Sequence, residues 1–137
     1  MKTSAQSEIP QETGPAQSLT YAMDRLWAKF LPEIRERVAI LEASATAVAA
    51  KTLSDSGREA AHAAAHKLAG SLGMFNLERG TDLARELEAA YKLEFPPAPD
   101  EADRLVSLAA ELRAMIENRK PGIESRKSGI ENRKSSL

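Results

Sequence analysis

Four stretches of this chain place apolar residues three and four positions apart, and that spacing leaves few architectures open to it. Ile34, Val38, Leu41, Ala45 and Val48 keep it as far as Lys51. A second run, from about Arg58 to Phe75, carries Ala61, Ala65, Leu68, Leu72 and Phe75 along one stripe. A third extends from about Leu77 to Leu93, and a fourth opens at Asp100 and Asp103 and aligns Leu105, Leu108, Leu112 and Met115. The punctuation between them is physical. Pro32 suits a first helical turn, where its missing N–H costs nothing. The Ser54-Asp55-Ser56-Gly57 cluster offers a helix cap, and Pro96, Pro97 and Pro99 force a loop. Ser18 caps a further short helix with Leu19, Met23, Leu26, Trp27 and Phe30 on one side. The expectation is an all-α antiparallel four-helix bundle over residues 18–116, closed at one end by the short N-terminal helix. About two dozen alanines, with few aromatic or β-branched residues, favour helix over sheet throughout.

Composition narrows the function classes. The 137 residues suit one domain of modest core, and their net charge of −1 hides an asymmetry. From Glu117 onward six basic residues face three glutamates, so the tail is positive and the rest negative. Neither part has the strongly basic face of a nucleic-acid binder. Without cysteine there is no disulfide, thiolate metal site or thiol nucleophile. No apolar run approaches the roughly 20 residues that span a bilayer, and the first residues lack the apolar core of a secretion signal. A monomer in the cytoplasm, with no nucleic-acid or membrane partner, is expected.

Residues 1–17 are polar, hold Pro10, Gly14 and Pro15, and read as a disordered lead-in. Residues 117–137 belong to a heptapeptide repeat, Ile116 to Gly122, Ile123 to Gly129 and Ile130 to Ser136. Each unit has one apolar residue where a coiled-coil seam needs two, and Pro121, Gly122 and Gly129 break helices. The reading is a disordered tail, with a weak electrostatic contact to an acidic partner as the alternative.

The chemistry concentrates on the second run. At about 100° per residue, His62, Gly70 and Gly73 fall within about 40° of His66, on the side away from the apolar stripe. Both histidines of the chain are therefore expected to face solvent. Each glycine costs about 1 kcal/mol against alanine inside a helix, and alanine is the prevailing residue here. Two readings of the glycines stand side by side. They clear a low strip where another molecule approaches the imidazole, or they admit helix packing and an early helix end at Gly73.

His66-Lys67-Leu68-Ala69-Gly70-Ser71, followed by Gly73-Met74-Phe75, resembles the signature of histidine-containing phosphotransfer (HPt) domains. That signature is histidine, any residue, an aliphatic, usually lysine, glycine and a small residue, with glycines at the seventh and tenth positions after the histidine. The resemblance extends as helix order and spacing from about Trp27 to Ile116 and takes in Leu83 to Glu88. It implies a four-helix bundle that acts as a phosphorelay carrier in two-component signal transduction, not as an enzyme with kinase activity of its own. His66 would be the phosphoacceptor, taking the group from a phospho-aspartate of a receiver domain, or from a histidine kinase, and passing it to another receiver aspartate. The partners implied are receiver domains of a hybrid histidine kinase or a response regulator. The chain would hold no cofactor itself, Mg²⁺ coming with the receiver. Gly70, Gly73 and His62 would belong to the docking surface, and Glu88 would hydrogen-bond the imidazole, fixing its tautomer and steadying the positive charge of attack.

Two departures accompany the resemblance. Ala69 stands where the family usually has lysine, so Lys67 and Arg85 are the candidates to support the phosphate, and Asn76 stands in place of the tenth-position glycine. His62 and His66, four residues apart, also have metal-chelating spacing, but Ala63 replaces the glutamate of a zincin motif and no third ligand except Glu59 is near. No metal site is assigned. The alternative of a different class is a helical adaptor that docks receiver domains without phosphorylation.

Overall fold

The computed structural model describes residues 4–93 and 96–122, with side chains described from Ser18 onward. Four helices carry the chain: α1 (Ser4–Ala50), α2 (Asp55–Met74), α3 (Glu78–Lys92) and α4 (Ala102–Glu117), the last entered through a 3-10 turn at Pro99–Glu101. There is no strand among the described residues, and none of their helices is long and apolar enough to cross a membrane.

Local chemistry sets most of the boundaries. Ser54 Oγ accepts from the Gly57 N–H at 3.0 Å and caps α2, as the Ser-Asp-Ser-Gly cluster suggested. Asn76 adopts φ 61°, a left-handed conformation that asparagine tolerates better than most residues, and it turns the chain from α2 into α3. Proline spacing then holds the third connection open until Asp100 and Asp103 start α4.

α1 departs from the expectation. No separate capping helix precedes Pro32; the helix runs unbroken through it and opens at Ser4 rather than Ser18. An interior proline removes one hydrogen bond, but in sequence Trp27, Ile34, Val38 and Leu41 keep one helical phase across Pro32, so one helix satisfies both runs. Part of the lead-in expected to be disordered is thus helical backbone, with Pro10 and Pro15 inside it. The expectation for the tail from residue 123 lies outside the described residues. Leu19 and Leu26 are exposed and Trp27 is buried. Seven residues bring Leu26 back over Leu19, whereas Trp27 stands about 100° away, so burying one side of this stretch leaves the other in water.

The described residues fall into two compact units, a central one within residues 30–119 and a flanking one that includes Asp24 and Gly122. In the flanking unit, the Gly122 N–H is shared by both carboxylate oxygens of Asp24 at 3.0 Å. In the central unit, cross-helix contacts fix the topology. Arg79 meets Glu111 and Arg104 meets Glu86, so α3 and α4 run antiparallel. Arg35 meets Glu117 and Arg113 meets Glu42, which sets α4 antiparallel to α1. Phe30, Glu33 and Arg37 line a hollow with Lys67, Ser71 and Met74, bringing α1 alongside α2. The result is an up-down-up-down bundle. Its core takes Ile34, Val38 and Leu41 from α1, Leu68 and Leu72 from α2, Leu83, Leu87 and Tyr91 from α3, and Leu105 and Leu112 from α4. Ile116 is buried where Met115 was expected, because it continues the stripe four residues after Leu112.

Candidate functional site

α2 buries Ala61, Ala65, Leu68, Leu72 and, at its end, Phe75, and that burial fixes what the opposite face can offer. His66 lands there with its side chain 70% exposed. The neighbouring α3 buries Leu83, Ala84, Leu87 and Tyr91, which turns Glu88 towards α2. Glu88 Oε2 lies 2.8 Å from His66 Nδ1. A carboxylate only accepts hydrogen bonds, so Nδ1 is the donor and carries the ring proton. In neutral imidazole that leaves the lone pair on Nε2, at an exposed ring.

His62 occupies a different environment. One turn earlier on α2 it is half-buried, and its Nε2 stands 3.8 Å from the same Glu88 oxygen, too far for a hydrogen bond but close enough to feel the charge. The expectation that both histidines face solvent therefore holds fully for His66 and only in part for His62. No group of three metal-ligating side chains fit to hold an ion occurs among the described residues.

The two glycines also differ. A Cβ built on Gly70 meets nothing within 4 Å, so this position leaves open space on the His66 face. A Cβ on Gly73 would lie 3.8 Å from Thr81 Oγ1, and Gly73 lines a separate hollow with Asn76, Leu77, Glu78, Thr81 and Asp82. Close approach is thus available at Gly70, while Gly73 looks onto the start of α3.

Ala69 is 4% exposed, so the position that would hold the motif lysine is turned into the bundle. Lys67 lines the hollow around His66, together with His62, Ala63, Glu88 and Lys92. Arg85 is exposed on α3 but does not line that hollow. Lys92 was missed in the sequence. The signal was available, since Lys92 follows Glu88 by four residues and so shares its face of α3. Lys67 also borders the adjoining hollow, where half-buried Phe30 and exposed Met74 add apolar surface beside Ser71, Glu33 and Arg37.

A bundle of antiparallel helices presenting a solvent-facing histidine, with a carboxylate from the next helix on its Nδ1, defines the class of histidine phosphotransfer carriers. The family model described as Hpt domain matches residues 25–120, and the chain belongs to that family. Hpt domains carry phosphoryl groups in phosphorelays and interact with receiver domains of two-component systems. No match was found among curated proteins or among solved structures.

Proposed function

We propose that His66 is the phosphoacceptor of this carrier. The observation that carries the reading is the 2.8 Å contact between Glu88 Oε2 and Nδ1 of an otherwise open imidazole. With Nδ1 protonated and held, the Nε2 lone pair attacks the phosphorus of an aspartyl phosphate on a receiver domain. The N–P bond forms, the P–O bond to the aspartate breaks, and the carboxylate leaves with its electron pair. Positive charge builds on the imidazole during attack, and Glu88 stabilises it. The transition state is loose, so what this chain contributes is position and electrostatics, and the divalent cation comes with the receiver. Reversal onto a second receiver aspartate completes the relay.

Open space at Gly70 and the apolar edge formed by Met74 and Phe30 suit a protein donor better than a small one, because a macromolecule must bring its aspartate against the helix. His62 and Gly73 lie at the margins of that surface.

The test is incubation of the chain with phosphorylated receiver domains, followed by acid and base treatment. The wild type is expected to gain an acid-labile, base-stable phosphate, His66→Ala to gain none, and His62→Ala to retain most of it. Label persisting in the His66 variant rejects the assignment. A wild type that binds receivers but takes no label would make the protein a phosphorylation-independent adaptor.

A further inference from the structure

Glu88 creates an electrostatic problem for the reaction it assists. A phosphoryl group on Nε2 carries up to two negative charges, and it stands one imidazole ring from a carboxylate held on Nδ1 at 2.8 Å. Ala69, buried in the bundle, offers no cation to offset that repulsion. Two ammonium groups border the hollow, Lys67 and Lys92.

Their surroundings separate them. Lys67 lies about 100° round α2 from His66 and is shared with the adjoining hollow, which it lines with Phe30, Glu33 and Met74. Lys92 borders the His66 hollow and does not line the other. The register of the two helices places it. Gly73 lies against Thr81 and His66 against Glu88, so each step back along α2 is answered by a step forward along α3, and Lys92 comes opposite His62, one turn from the acceptor. Among the described residues its ammonium, like that of Lys67, makes no ion pair or hydrogen bond, whereas Arg79 and Arg104 are paired with carboxylates.

We propose that Lys92 binds the phosphoryl oxygens on phosphorylated His66 and supplies from α3 the cation that α2 lacks, an assignment that rests on His66 being the acceptor. The consequence is kinetic. In a loose transition state the non-bridging oxygens push electron density towards phosphorus as the N–P bond breaks. An ammonium group on those oxygens holds that density back, so Lys92 lengthens the life of the phosphohistidine while the carrier travels between partners.

The 137-residue chain is loaded with phosphoramidate, whose P–N bond breaks as the bond to Nε2 forms, ammonia leaving with the electron pair. After the donor is removed, loss of phosphate to water is followed by intact mass, and the ³¹P resonance is titrated with pH. Lys92→Gln is expected to lose phosphate about fivefold faster than wild type, the size of one charge-assisted hydrogen bond discounted for exposure. Its phosphorus resonance should titrate at higher pH, and Lys92→Arg should restore both properties. A lysine that merely steadies the C-terminus of α3 would change the melting temperature and leave decay and ³¹P titration unmoved, which overturns the proposal. Faster decay in Lys67→Gln alone also overturns it. A wild type that gains no phosphate, or gains it with His66 replaced, fails the acceptor assignment instead, and the two failures are told apart by the wild-type and His66→Ala spectra.

Discussion

At residue scale the informative position is Gly70, where stability and function should move in opposite directions. A methyl group there meets nothing within 4 Å, and alanine favours a helix interior by about 1 kcal/mol over glycine. Gly70→Ala is therefore expected to raise the urea midpoint, while slowing transfer from a phosphorylated receiver because the added group stands where the donor approaches His66. A variant that is more stable and equally fast would remove close approach as the reason for the glycine. Much at this scale could be read beforehand. The wheel of α2 alone put His66 opposite Leu68 and Leu72, and the burial of those leucines bears that out. Lys92 could be read only in part, because spacing puts it on the face of Glu88 but its place beside His66 depends on the register of α2 against α3, which no periodicity within one helix encodes. Arg85 shows the same gap from the other side: a plausible cation by spacing, turned outside the hollow by the rotation of α3.

At the scale of elements, α2, α3 and α4 were legible because each begins at residues with a local reason to begin a helix or leave a turn: Ser54, Asn76, and the run from Pro99 to Asp103. The start of α1 was not, since Pro32 carries a local signal for a new first turn that the in-phase apolar spacing overrides. Local punctuation is reliable where burial agrees with it and fails where burial continues through it. Tyr91 on α3 shows a further conflict. Its ring is fully buried, its hydroxyl has no partner among the described residues, and burial pushes its pKa up to about 12. Meanwhile its carbonyl accepts from Arg58 at 2.8 Å, tying the start of α2 to the end of α3 through the backbone instead. An unpaired buried hydroxyl costs about 1 kcal/mol or more. Tyr91→Phe is thus expected to keep the fold and gain about 1 kcal/mol in urea unfolding. A loss of that size would mean that the hydroxyl is satisfied by a buried water.

At the scale of the whole molecule, the central unit joins its first and last helices through charge. Arg113 bonds Glu42 at 2.8 and 3.1 Å and reaches Glu117 at 3.4 Å, and Glu117 in turn accepts two bonds from Arg35 at 2.8 Å. This chain of four side chains spans α1 and α4, elements far apart in sequence. Each pair is partly exposed and contributes little alone, so the pH dependence of the set is the better readout. The hydrogen bond from Arg113 holds the Glu42 carboxyl below the ordinary value of 4.5, and that from Arg35 does the same to Glu117. A carboxylate whose folded pKa is depressed lends its stability above the unfolded value, and the contribution is lost as pH falls through the folded one. The melting temperature should therefore hold from neutrality down to about pH 5 and fall below about pH 4.5 as these groups protonate. Arg113→Gln removes the common donor, so it should melt lower at neutral pH and show a shallower acid decline, the two curves drawing together towards about pH 3. Parallel curves across the whole range would mean that this network does not set the acid limit of the bundle. Because His66 and Glu88 lie on α2 and α3 and the network on α1 and α4, the variant should still accept phosphate at neutral pH, separating the acid stability of the scaffold from the chemistry it carries.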